Sequence, residues 1–117
     1  MNTQQLDQAL NQQILGGDIM GAYEKYYAED VVMQENSAEP TIGKGPNRDR
    51  ELEFVNSIQE FHGAAVLSSA VNENVSFSEW EMDVTFKGGF RVKMAQVAVR
   101  TWENGLVVRE RFYYNKG

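Results

Sequence analysis

Glu79-Trp80-Glu81-Met82-Asp83-Val84-Thr85-Phe86 alternates between polar and apolar residues without a break. A period of two is that of an extended strand with one face in a core. It sends Trp80, Met82, Val84 and Phe86 to one side and Glu79, Glu81, Asp83 and Thr85 to the other. The apolar set must be covered, and the first half of the chain has to supply the cover. Turn formers frame this strand, at residues 72–74 before it and at Gly88-Gly89 after it, and Asn104-Gly105 makes a third turn. From Ala64 onward the pattern therefore predicts four long strands in a meander, with the glycine-containing turns fixing the register.

The strand after Gly89 is apolar on both sides. Its phase is expected to place Ala95, Val97 and Val99 inward and Met94, Gln96, Ala98 and Trp102 outward. An outer face with that much apolar surface calls for a partner, and a two-fold homodimer through the sheet is the simplest one.

Upstream, the period lengthens to that of helices. Thr3 is the expected cap of a first helix carrying Leu6, Ala9, Leu10 and Ile14 on one face, stopped by Gly16-Gly17. Asp18 caps a second helix, running to about Ala28, with Ile19, Ala22, Tyr23, Tyr26 and Tyr27 as an aromatic stripe. Residues 31–35 and 41–44 read as a small strand pair. Gly45-Pro46 opens a third helix with Leu52, Val55, Ile58 and Phe61 on one face, ending near His62-Gly63, where His62 is expected to cap it. The fold class is α+β: one domain over residues 1–117, with three helices closing a curved, mainly antiparallel sheet over an apolar pocket.

Composition removes several function classes. A chain of 117 residues has room for one core, and 42 % apolar with 24 % charged residues is a globular balance. No apolar run approaches the roughly 20 residues that cross a bilayer, and residues 1–10 contain no basic residue followed by a hydrophobic stretch, so the expectation is a cytoplasmic protein with no membrane partner. A formal charge of −6, with Arg48 and Arg50 set among Asp49, Glu51 and Glu53, argues against nucleic acid. The absence of cysteine and the presence of a single histidine argue against a transition-metal site, and Gly43-Lys44-Gly45 is too short for a phosphate loop. No cofactor or metal is expected.

Gly17-Asp18 followed by residues 27–35 (YAEDVVMQE), and residues 102–114 (WENGLVVRERFYY), resemble two motifs of the cone-shaped fold shared by nuclear transport factor 2, the ketosteroid isomerases and the SnoaL-like polyketide cyclases. The likeness spans nearly the whole chain. It implies a small-molecule pocket and chemistry by carboxylates, although one fold of this kind also hosts plain binding domains. The isomerase base corresponds to Glu35. The two isomerase oxyanion donors correspond to Leu10 and Val97, so both are missing, and steroid isomerisation by that route is not expected, because one such donor contributes about 3 to 4 kcal/mol.

The cyclases keep an acidic residue inside the cone, and the inward candidate here is Glu110, flanked by Val108, Phe112 and Tyr114. Desolvation there would raise its pKa toward neutrality. The alternative is an ion pair with Arg100, Arg109 or Arg111. For Glu35 the alternative is a solvated rim position. Glu35 and Glu110 are thus the candidate catalytic pair, and Tyr23, Tyr27, Trp80, Met82, Val97, Phe112 and Tyr114 the candidate ligand-binding residues, for a small apolar carbonyl compound undergoing isomerisation, cyclisation or elimination. The competing expectation is a domain that binds a small apolar ligand or dimerises without catalysis.

Overall fold

The computed structural model describes residues 1–115. Helix α1, Thr3–Leu15, starts one residue earlier than Thr3 would set it. Asn2 is the cap, its side chain accepting from the Gln5 amide at 2.8 Å while Gln5 returns the contact to the Asn2 amide at 3.0 Å. Such a reciprocal box satisfies two amides that the first turn leaves open. After a turn at Gly17, Asp18 caps α2, Ile19–Tyr26, by accepting from the Gly21 amide. A Cβ on Gly21 would lie 2.2 Å from the Asp18 carboxylate, so this cap requires glycine there.

From α2 the chain runs straight into β1, Tyr27–Glu35, which pairs antiparallel with the short β2, Thr41–Ile42. Helix α3, Lys44–Ser57, carries Pro46 in its first turn, where no amide bond is lost. It ends well before His62. Ile58 and Phe61 belong instead to β3, Ile58–Asn72, opposite Phe86 and Val84. These two residues fit a helical stripe and a strand equally well, and pairing with the long neighbouring strand decides the matter. His62 therefore caps no helix; it lies in β3, with Nε2 2.7 Å from Thr85 Oγ1.

Strands β3, β4 (Val75–Phe86), β5 (Arg91–Glu103) and β6 (Leu106–Tyr113) form the expected meander, and β6 closes onto β1 in parallel, giving the order β2-β1-β6-β5-β4-β3. Three irregularities in the β3 pairing bend that strand, as bulges do. On β4, Trp80 and Val84 are buried toward the helices, as the alternation predicts.

The phase of β5 is the reverse of that expected. A two-residue turn at Gly88-Gly89 would pair Lys87 with Phe90. The hairpin closes instead through Phe86, whose amide donates to the Phe90 carbonyl at 2.7 Å, leaving a three-residue loop. One extra loop residue turns every following side chain over. Gln96 stands opposite Trp80 and Met94 opposite Met82, so Met94, Gln96, Ala98, Arg100 and Trp102 face the helices. Val97 faces outward opposite Glu79 and Tyr113, 36 % exposed, and cannot line the interior.

The core packs Leu10, Ala22, Tyr23, Tyr26, Tyr27, Val31 and Met33 against Trp102 and Val107. It fills one end of the cone and leaves the other end open.

Candidate functional site

Between α2, α3 and the concave face of the sheet lies a cavity of about 980 Å³. Its wall is largely apolar, with Met33, Trp80, Met82, Met94 and Phe112 contributing to it. Four carboxyl groups and three cations also reach its surface: Glu35, Glu51, Glu53 and Glu110, with Arg50, Lys93 and Arg100.

Glu110 is the deepest of these, 1 % exposed. It stands directly opposite Arg100 on β5, because an irregularity at Thr101/Trp102 shifts the hairpin register by one. Its Oε2 accepts from Arg100 Nε at 2.7 Å and from the Tyr27 hydroxyl at 2.5 Å. The far end of Arg100 donates to Asp7 at 2.8 Å and to Asn11 at 2.6 Å, both on α1. Asp7 also accepts from the Ser76 hydroxyl, which accepts in turn from the Trp102 indole. The result is a buried polar chain from α1 through three strands to Tyr27. Burial, then the Glu110 charge, holds the Tyr27 phenol well above its usual range. Burial opposes the Arg100 charge, but the Tyr27, Glu110 and Asp7 oxygens around it more than compensate and keep it a cation. Glu110 is thus ion-paired to Arg100, the alternative that the sequence left open beside an unpaired acid.

Glu35 lies at the end of β1, exposed, and forms an ion pair with Arg50 at 2.9 Å. Tyr114 lies close to it: burial, then the Glu35 charge, raises the Tyr114 pKa. These three residues make a rim. The Tyr23 hydroxyl donates to the Lys44 carbonyl at 2.7 Å, and burial first of all pushes its pKa up to about 12. Tyr23 and Tyr27, with ring centroids 4.9 Å apart, thus offer the cavity their rings, their hydroxyls being engaged within the fold. The Trp80 indole N–H is likewise used, on Ser78. Met82, Phe112 and Tyr114 line the cavity; Val97 does not.

Glu51 and Gln96 also bring polar groups to the cavity; Glu51 stands outside the sequence candidates, and the expected phase turned Gln96 outward. Glu51 projects from α3 into the cavity, and its carboxyl has no hydrogen-bond or ion-pair partner among the described residues. Burial, then the Glu110 and Glu35 charges, raises its pKa to about 7, against a smaller opposing pull from Arg50 and Arg100. Its spacing from Asn47 and Phe54, four residues one way and three the other, is the signal that places all three on one helical face. Gln96 also faces the cavity, with its amide uncommitted among the described residues. The three-residue hairpin put it there. Among the described residues no group of three His, Cys, Asp or Glu is placed to hold a metal ion, and no helix is long and apolar enough to cross a membrane.

The sequence model of the SnoaL-like domain matches residues 1–114. The chain belongs to the SnoaL-like domain family. The solved structure of a proposed SnoaL-like polyketide cyclase (carbohydrate phosphatase) from Mesorhizobium loti is 31 % identical, with 97 % of this chain and 100 % of that one covered and a TM-score of 0.84. An NTF2-like protein of unknown function from Burkholderia pseudomallei (16 % identity, 98 % and 92 % covered, TM-score 0.83) shares the fold. So does a proposed polyketide cyclase from Pseudomonas putida (19 %, 99 % and 93 %, TM-score 0.79). No match is found among curated proteins. Within the SnoaL-like fold, the present chain combines a cone sealed at one end by the Asp7–Arg100–Glu110 chain with the Glu51 carboxyl of α3, which burial raises in pKa to about 7.

Proposed function

We propose that this SnoaL-like domain is a cofactor-independent acid–base enzyme, of isomerase, cyclase or lyase type, acting on a small and largely apolar carbonyl compound. The observation that carries the reading is Glu51: an unpaired carboxyl facing an apolar cavity, with a pKa near 7. A group so poised is present in both protonation states at neutral pH, which suits it to take a proton from carbon and return it elsewhere. The Gln96 amide can donate to the carbonyl oxygen, where negative charge develops. Glu35, paired with Arg50, belongs to the entrance, and Glu110 to the floor.

The test is proton exchange. With 1-tetralone as probe in D₂O, the protein is expected to accelerate loss of the α-proton NMR signal above the buffer rate, along a profile that rises through pH 7 to a plateau as Glu51 deprotonates. A second reading, a ligand-binding domain without catalysis, is favoured by Leu10 and Val97 at the positions of the isomerase donors. It predicts binding of the ketone with no exchange above buffer, and that result would sink the enzyme assignment.

Dimerisation through the sheet is part of the same proposal, on a corrected footing. Met94, Ala98 and Trp102 are interior, and the outward surface is made by Phe77, Val97 and Tyr113, which remain 37 %, 36 % and 43 % exposed. Val97 and Tyr113 pair directly, and Phe77 lies beside them opposite Val99. Val97→Lys is expected to convert a dimer into a monomer by light scattering without altering the circular dichroism spectrum. A monomeric parent protein would overturn it.

A further inference from the structure

Glu110 has one oxygen satisfied twice and the other not at all. Oε2 accepts from Arg100 and Tyr27, while Oε1 is buried with no hydrogen-bond partner among the described residues. Fully buried polar atoms without partners are rare in folded proteins, and a carboxylate oxygen is among the costliest to leave so. Glu110 lines the cavity. Oε1 itself is closed to a water-sized group, so a partner taken up by the cavity reaches it only by displacing the side chains that cover it.

We propose that the ligand is a hydroxylated carbonyl compound whose hydroxyl donates to Glu110 Oε1 at the cavity floor. A neutral O–H fits better than an ammonium group. The Arg100 guanidinium is already 2.7 Å from the other oxygen of the same carboxyl, and a second cation would meet it in a low-dielectric site. An ether or a bare hydrocarbon has no proton to give and would seal Oε1 off unpaired. Between floor and mouth, Met33, Met82, Met94, Trp80 and Phe112 suit an apolar ring system. The carbonyl half of this class rests on the enzyme reading above; the hydroxyl half rests on Glu110 alone.

The probes are the ring-hydroxylated 1-tetralones, each compared by calorimetry with its methyl ether. At least one hydroxyl isomer is expected to bind about tenfold or more tightly than its ether, the value of a hydrogen bond to a charged group. Glu110→Gln supplies the decisive comparison. Because Arg100 and Tyr27 both donate to the Oε2 position, the glutamine oxygen must occupy it, and the amide nitrogen then replaces Oε1, turning an acceptor into a donor. The preference for hydroxyl over ether is expected to vanish in that variant. Glu51→Gln is expected to keep the preference while losing proton exchange, so the two claims fail separately. Equal affinities for hydroxyl and ether in the parent protein, an unchanged preference in Glu110→Gln, or no binding by any member of the panel overturns the proposal. If Glu110→Gln does not fold, the parent comparison decides alone.

Discussion

Arg100→Met is expected to lose about 3 to 5 kcal/mol of folding stability, the usual cost of removing one partner from a buried ion pair. The side chain it replaces is 2 % exposed and is, among the described residues, the one cation in contact with both Asp7, 3 % exposed, and Glu110, 1 % exposed. Methionine approximates the volume but leaves two buried carboxyl groups without their cation. It also removes the donors that Asn11 and Glu110 accept from. Adding Asp7→Asn and Glu110→Gln to the same chain removes both carboxyls and is expected to recover part of the loss, since the penalty lies in uncompensated charge more than in missing contacts. Urea unfolding of the single and triple variants measures both effects. A loss under about 1 kcal/mol for Arg100→Met would mean that the cluster is solvated, in conflict with its burial.

The same cluster shows where the sequence can and cannot be read. The alternation over residues 79–86 fixes the inner face of β4 because the strand has one buried side and no interruption. Asn104-Gly105 marks its hairpin correctly, with both residues at positive φ. The facing of the strand beyond each turn depends on details that leave no trace in a hydrophobic pattern. One more residue in the loop after Phe86 turned Gln96 inward and Val97 outward, on a strand whose two faces are almost equally apolar. One irregularity at Thr101/Trp102 set Glu110 opposite Arg100, where an unbroken two-residue hairpin would have set Arg109. The cone and its closing strands were legible as a resemblance, and Glu110 as an inward residue. Its ion pair stood only as one of three arginine alternatives. Glu51 escaped notice for another reason. On α3 it is one acid among several, between Arg50 and Leu52, and only the cavity that the sheet builds around it makes it distinct.

That environment leads to the second large effect. Glu51→Gln is expected to abolish the proposed proton exchange, lowering the rate by about 10² to 10⁴, because glutamine keeps the shape and can neither take nor give the proton. The same change is expected to make the protein more stable in alkaline solution. The folded-state pKa of Glu51 is raised from 4.5 to about 7, so between those values the folded chain binds the proton that the unfolded chain has released. Stability associated with this group is therefore complete below pH 4.5 and declines as pH rises through 7, by at most about 3 kcal/mol. Glutamine carries no charge at any pH and does not suffer the decline. Parent and variant should unfold at similar urea concentrations at pH 4, and at pH 8 the variant should need more. A variant that loses activity without gaining stability at pH 8 would show that Glu51 is already charged and solvated at neutrality. A variant that gains stability and keeps exchange would move the proton transfer to another group. Lost turnover joined to gained stability is the signature of a carboxyl held in an apolar cavity against its own solvation, and the fold tolerates that strain by anchoring its remaining deep carboxyls to Arg100.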